Sequence, residues 1–379
     1  MKINIVGGGP AGLYFAILWK KHHPDSSVTV FERNAAGTTF GWGVVFSDKT
    51  LSYLRDADPY TYIEVIANFE TWDNVDIVHR DETISVHGNK FSGIARIRLL
   101  RILQHRCREL GVELRFNEPV TDIDSLVECD LLIGADGVNS TVRDRFSDRF
   151  SPNLALRSNK YIWFGTRRLF HGLTLTFRDN ADGVFAAHSY KFDKRTSTFI
   201  VECDSETWMN AGFEAMSETG TQSYLESVFA ADLCGESLIS NNSKWINFLD
   251  VKNRQWSYEN VVLLGDALHT AHFSIGSGTK LALEDAIALT DALLKSTTVS
   301  AALRMFEDVR KPIIEEYQSA AEESLQWFEN CRGHIQLEPI ELALSLMTRS
   351  KRIDFENLKR RDPAFIALYE SWRKRAPIA

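Results

Sequence analysis

The sequence predicts an α/β fold in which a doubly wound parallel sheet carries an inserted antiparallel sheet and ends in C-terminal helices. Three observations predict it. A strand, a glycine turn, a helix and a second strand fill the start of the chain; short aromatic strands crowd residues 160–202; and an apolar strand, a glycine-rich turn and a helix return after residue 261. At 379 residues, 44% hydrophobic and 25% charged, the chain is long enough for one large α/β unit or two interleaved domains.

In order along the chain, residues 3–6 read as a buried strand, GGGPAG as a turn, and residues 11–22 as a helix with Leu13 and Ile17 one turn apart. Residues 27–31 alternate as a second strand and complete a βαβ unit. The segment RNAAGTTFGWGVVFSD reads as a long irregular loop whose three glycines lie close to something flat. Residues 75–86, with a turn at HGNK, read as a hairpin. Residues 96–110 read as a helix stopped by Gly111, and residues 112–116 and 131–134 as strands. The aromatic strands of 160–202 form a separate layer, and the helix after the strand at 261–265 carries Ala282, Ala286, Leu289 and Leu293 on one face. From about residue 300 the pattern is mostly helical. The expected division is a nucleotide domain at 1–70, 92–152 and 255–298, a substrate domain at 71–91 and 153–254, and a helical segment at 299–379.

Composition narrows the partners. The net charge of −8 and the lack of a dense basic run beyond Lys359, Arg360 and Arg361 argue against nucleic acid. Five cysteines without CxxC spacing argue against a disulfide framework and fit a reducing, cytoplasmic compartment. The histidines show no metal-ligand spacing, so no metal is expected. The chain enters its first strand at once, and no apolar run approaches the ~20 residues that span a bilayer, so neither a secretory signal nor a membrane segment is expected.

Three motifs carry chemistry. Gly7, Gly9 and Gly12 stand in GxGxxG spacing between a strand and a helix, with Glu32 at the end of the next strand. Such glycines let backbone approach a pyrophosphate at a helix N-terminus, and the acid accepts a ribose hydroxyl, so the motif predicts a Rossmann-like dinucleotide site without separating NAD from FAD. The second motif, DLLIGADGVNSTVR, is a strand running into an Asp136-Gly137 turn with Ser140 as helix N-cap. In the third, VVLLGDALHTAHFSIGSGTKLALEDA, Asp266 sits at a strand tip before a turn of small residues and a helix.

These motifs in this order resemble the group A FAD-dependent aromatic monooxygenases, the para-hydroxybenzoate hydroxylase class. FGWGVVFSD, KYIWFGT, STFIVE, NNSKWINF and HTAHFSIGSGTK narrow the resemblance to the branch of salicylyl-CoA 5-hydroxylase, the N-terminal half of anthraniloyl-CoA monooxygenase and the violacein-pathway tryptophan hydroxylase. It implies that FAD is the cofactor and that NADH or NADPH is a transient reductant. Gly7, Gly9, Pro10, Ala11 and Gly12 would hold the pyrophosphate, with Glu32 and Arg33 at the adenosine ribose. Arg96 would face the FAD, and Ala135, Asp136 and Gly137 would lie by the pyrophosphate. Asp266 would bind the ribityl chain, and Gly278, Thr279 and Lys280 would follow the pyrimidine edge. Lys280 and its helix N-terminus are expected to stabilise negative charge at flavin N1 and O2.

The implied reaction is aromatic hydroxylation by a flavin C4a-hydroperoxide formed from O2. An aryl-CoA thioester such as salicylyl-CoA or 2-aminobenzoyl-CoA is the expected substrate, a free indole or tryptophan-type metabolite the alternative, and a noncatalytic FAD-binding protein the alternative of another class. Trp42, Phe46, Trp163, His188, His272 and Phe273 are candidates for the substrate wall, and His188, His272, Phe273 and Lys280 for catalysis. Arg167, Arg168, Lys191 and Lys194 are candidates for contact with a CoA phosphate. A monomer or homodimer is expected.

Overall fold

A computed structural model describes residues 1–375, apart from the side chains of residues 47–50. One layer is a six-stranded sheet in the order Ser257–Tyr258, Val261–Leu263, Leu131–Gly134, Lys2–Val6, Ser27–Glu32, Glu113–Phe116. Its pairings are parallel except at the first edge. Lys2–Val6 and Leu131–Gly134 are buried almost throughout, which explains why they read as unbroken apolar runs. The helix Pro10–His22 is buried from Ala11 to Lys20, packed against Arg96–Glu109 and Gly278–Lys295. It is covered all round, whereas the spacing of Leu13 and Ile17 predicts a single apolar face.

The second layer is an eight-stranded sheet. Its order is Leu238–Ile239, Pro152–Thr166, Ser197–Cys203, Gly183–Lys191, Leu173–Asn180, Val75–His79, Glu82–Val86, with Ile246–Asn253 also paired to Pro152–Thr166. Every residue of Ser197–Cys203 is buried, so this strand is covered on both faces. The two-residue period then divides it. Phe199, Val201 and Cys203 join Phe164, Phe185, Leu225 and Phe229 in one apolar cluster. Thr198, Ile200 and Glu202 have the opposite parity and face the other way.

Two local expectations change. The hairpin at 75–86 turns at Arg80 and Asp81, not at HGNK. Both residues have positive φ, 50° and 60°, the requirement of a tight two-residue hairpin turn. The segment read as irregular is partly regular: Gly43–Ser47 is a strand in a small sheet with Phe91–Ala95 and Glu70–Trp72. Two of its three glycines, Gly41 and Gly43, lie against the protein's own aromatics, and Gly37 does not. A Cβ on Gly41 would come within 2.5 Å of the Trp163 ring, and one on Gly43 within 2.6 Å of Phe192.

Phe199 is fully buried, with ring centroids 6.0 Å from Phe170 and 5.2 Å from Phe229. Truncating it leaves a cavity between the sheet and the helices over it, so Phe199→Ala should cost about 3–5 kcal/mol. Equilibrium urea unfolding checks this; a loss under about 1 kcal/mol would mean the cluster repacks freely.

Candidate active site

The two sheets meet at a cavity of about 850 Å³. At one end it is lined by Gly9, Pro10, Ala11, Ala135, Gly137, Asp266 and the turn 273–280; at the other by Tyr161, Trp163, His188, Tyr190 and Ile200 of the antiparallel sheet. The glycines differ in what they do. A Cβ on Gly7, whose φ is +111°, would sit 2.2 Å from the Ala135 carbonyl oxygen, and one on Gly12 would sit 2.4 Å from the Gly7 oxygen. These two let strand and helix approach. Gly9, Gly137 and Gly278, by contrast, have nothing within 4 Å of a built Cβ and line the cavity, which leaves a bare backbone surface at the N-termini of Pro10–His22 and Gly278–Lys295.

The acids are arranged less simply than their positions predict. Glu32 lies off the cavity lining, its carboxylate accepting from the N–H groups of Gly8 and Asn34, each at 2.8 Å. Arg33 is exposed and also off the lining. Asp136 turns away: it accepts from Thr141 N–H at 2.7 Å, Thr141 Oγ1 at 2.9 Å and the Ser140 hydroxyl, so it caps the helix Thr141–Arg145 while its neighbours Ala135 and Gly137 present backbone to the cavity. The placement of the Asp136 carboxylate beside a pyrophosphate is therefore corrected. Asp266 does open onto the cavity. Its side chain is exposed there, yet desolvation by the surrounding protein raises its carboxyl above the ordinary value, opposed by the Arg96 charge. Arg96, hydrogen-bonded to Thr39 Oγ1 at 3.1 Å, lines the same end, and burial lowers its guanidinium while Asp266 counteracts that.

Lys280 is buried and lines the cavity, but its ammonium is already engaged. It pairs with Glu284 at 3.0 Å and donates to Tyr317 Oη at 2.7 Å. Glu284 also meets Arg310 at 3.3 Å, Arg310 meets Asp285 at 2.9 Å, and Asp285 meets His269 at 2.8 Å. This chain lies beneath the turn 265–277. Burial would raise the Tyr317 phenol, yet Lys280 and Arg352 hold it below its ordinary value.

On the sheet side, Trp163, His188 and Phe273 line the cavity as expected. Three candidates do not. Phe46 is fully buried in the main core against Phe69, centroids 5.7 Å apart. Trp42 packs on Gly165 and Phe192, where no side chain at Gly165 competes for the space. His272 lies behind Phe273, its Nδ1 2.8 Å from Ser274 Oγ, and burial lowers its imidazole to about 4. The four basic residues proposed for a phosphate are also off the lining, and Lys191 is paired with Glu70 at 2.9 Å. Exposed Lys90, Arg352 and Arg361 line the opening instead, beside Asp73. Sequence reasoning also missed Glu202. It is 2% exposed, 3.2 Å from His188 Nε2 and 2.9 Å from Asn159 Nδ2.

Comparison with known proteins agrees with this geometry. Residues 5–42 match a family model described as an NAD(P)-binding Rossmann-like domain, and residues 109–321 one described as an FAD binding domain. Salicyloyl-CoA 5-hydroxylase of Streptomyces sp is 42% identical, aligned over 98% of this chain and 74% of that protein. Protodeoxyviolaceinate monooxygenase of Chromobacterium violaceum is 34% identical over 93% of this chain and 95% of its own. The solved structure of 2-methyl-3-hydroxypyridine-5-carboxylic acid oxygenase superposes with a TM-score of 0.73 at 19% identity, covering 93% and 97% of the two chains, a likeness of fold.

Asp285 yields a pH-dependent prediction. Burial would raise its carboxyl, but His269 and Arg310 hold it below the ordinary value of 3.8. A depressed carboxyl stabilises the folded state above the ordinary value, and that contribution disappears as pH falls through the depressed one. Asp285→Asn should cost about 3 kcal/mol near pH 7 and weaken the fall in melting temperature toward about pH 3. Thermal melts of both proteins across that range check it; parallel curves would contradict it.

Proposed function

The chain belongs to the FAD-binding monooxygenase family, and we propose that its substrate is an electron-rich arene carried as a CoA thioester, such as salicyloyl-CoA or 2-aminobenzoyl-CoA. The overall reaction consumes arene, O2, NAD(P)H and a proton, and yields the hydroxylated arene, water and NAD(P)+. The observation that carries this reading is one continuous cavity, bare backbone at one end, aromatic at the other, with exposed cations at its opening that make no ion pair with a carboxylate among the described residues.

The residues present fit FAD. The open sides of Gly9, Gly137 and Gly278 leave room for it, and the helix N-terminus at Pro10 offers N–H groups to its diphosphate. Asp266 would meet the ribityl chain, Arg96 would face the ring system, and Gly278, Thr279 and Lys280 would follow the pyrimidine edge. When bound, FAD accepts a hydride from NAD(P)H and activates O2 for transfer of one oxygen atom to the ring. Tyr161, Trp163, Ile200 and Phe273 orient the arene and keep water from it. A cytoplasmic location is supported by the five cysteines, all free; among the described residues no helix is long and apolar enough to cross a membrane.

Lys90, Arg352 and Arg361 suit the phosphates of the carrier, because they are exposed, face the opening and make no ion pair with a carboxylate among the described residues. Steady-state kinetics of the Lys90→Gln/Arg361→Gln double variant test this. KM for salicyloyl-CoA should rise about tenfold with kcat little changed, and kinetics with free salicylate should not move. The similarity to protodeoxyviolaceinate monooxygenase favours a second reading, a free aromatic metabolite. Turnover of free arenes without turnover of either thioester would establish it and remove the first.

A further inference from the structure

His188 and Glu202 form a buried pair on the arene side of the cavity. Alternation puts them there. Ala186, His188 and Tyr190 share one parity on their strand, Ile200 and Glu202 share one on the next, and the two strands are hydrogen-bonded neighbours with Ala186 opposite Glu202. Glu202 Oε2 is 3.2 Å from His188 Nε2, and its Oε1 accepts from Asn159 Nδ2 at 2.9 Å. The carboxylate is thus held from two sides.

An ionised carboxylate only accepts hydrogen bonds, so in neutral His188 the hydrogen resides on Nε2 and the lone pair on Nδ1. Nδ1 has no hydrogen-bond partner among the described residues, and the His188 side chain lines the cavity between Phe273 and Phe328, at centroid distances of 5.3 and 4.7 Å. The site therefore presents an imidazole acceptor flanked by two apolar rings. Resting on the arene hydroxylation read above, we propose that His188 Nδ1 takes the proton of a hydroxyl on the substrate ring, and that Glu202 is the residue that positions His188 and stabilises its cation.

The proton balance is simple. The substrate O–H bond breaks, its electron pair stays on oxygen, and the proton moves to Nδ1. The ring becomes more electron-rich and accepts the oxygen atom. Its displaced C–H proton leaves to solvent, and the first oxygen recovers its proton from the imidazolium. For a ring amine, Nδ1 accepts an N–H hydrogen bond and no transfer is needed. Burial would raise the Glu202 carboxyl, but His188, His272 and Asn159 keep it below its ordinary value and ionised. Other titratable groups surround the pair. His272 on the turn is lowered by burial to about 4, Tyr161, Cys203 and Cys331 are raised by burial, and Arg349 is a cation without a carboxylate contact among the described residues; Glu329 and Arg157 act on His272 from farther out.

The test uses the FAD-loaded enzyme, Glu202→Gln and His188→Gln, each with salicyloyl-CoA, 2-methoxybenzoyl-CoA and free salicylate. The carboxamide in Glu202→Gln can donate to Nε2, which turns Nδ1 into a donor. Product formation with the hydroxylated substrate should then fall about 100-fold near pH 7, and the deficit should shrink as pH rises through the ionisation of the hydroxyl. The absorbance of bound salicyloyl-CoA should show ring ionisation shifted to higher pH. The methoxy compound, which has no proton to give, should show no such pH-dependent deficit in either variant. If Glu202→Gln does not fold, His188→Gln, altered at the cavity wall, reads the same quantities. Unchanged ionisation of the bound ring and an unchanged pH profile in both variants would overturn the proposal while leaving thioester hydroxylation standing. If wild type hydroxylates free salicylate alone, the carrier reading fails and the pair is judged on that substrate; if it hydroxylates no phenol, both fail.

Discussion

The cavity depends on one fully buried carboxylate, that of Asp285. An ionised acid without solvent is tolerated only when hydrogen bonds and charges replace the water it has lost. Asp285 accepts from His269 Nε2 at 2.8 Å, from Arg310 Nε and Nη2 at 3.1 and 2.9 Å, and from the N–H of Gly265 at 3.3 Å. Those donors belong to the turn after Val261–Leu263 and to the long helix Val299–Glu329, while the acid belongs to Gly278–Lys295. A single side chain thereby fixes where the strand ends, where the turn runs and where the next helix begins.

The same chain of charges decides what Lys280 can contribute. Lys280 and Arg310 are matched by Glu284 and Asp285, so the formal charges of these four side chains cancel. With FAD placed as proposed, positive potential at the pyrimidine edge would come chiefly from the unsatisfied N–H groups of the helix N-terminus. Arg352 adds to it from the opening, reaching over the Tyr317 ring at 4.3 Å.

The parts of this arrangement that were legible in the sequence are the local ones. Gly7, Gly9 and Gly12 fall at the turn between strand and helix where their spacing places them, because that spacing covers only a few residues. Asp136 was misplaced for a related reason. Its position marks the turn, but Ser140 and Thr141 just downstream offer donors that draw its carboxylate to the helix end, a capping pattern visible in the sequence. Phe46, Trp42 and Trp163 are alike as letters, and only the packing of Trp42 on Gly165 and of Phe46 on Phe69 tells core from wall. Glu202 and Asp285 carried a usable signal. Each is an acid at a position whose parity or helical turn is otherwise apolar, Glu202 beside Ile200 and Asp285 between Leu281 and Leu289, and an acid there must have a buried partner. Which partner it has could not be read, because Arg310 and His188 come from other elements.

The electrostatics of the arene end follow from one asymmetry. Glu202 has two hydrogen-bonding neighbours, the Asn159 amide and the His188 imidazole, while burial lowers the His272 imidazole to about 4. Arg349 feels Glu202 through space but directs its hydrogens to the Ser274 and Leu346 carbonyls and the Ser324 hydroxyl. Burial lowers its guanidinium to about 10, still far above neutrality, so it remains charged. The wall therefore holds a buried carboxylate and a half-buried guanidinium that make no ion pair with each other among the described residues. A positive charge formed on His188 would make a contact pair with Glu202, where the low dielectric makes the attraction strong. The apolar rings of Phe273 and Phe328, by excluding water, strengthen the same attraction and protect the arene.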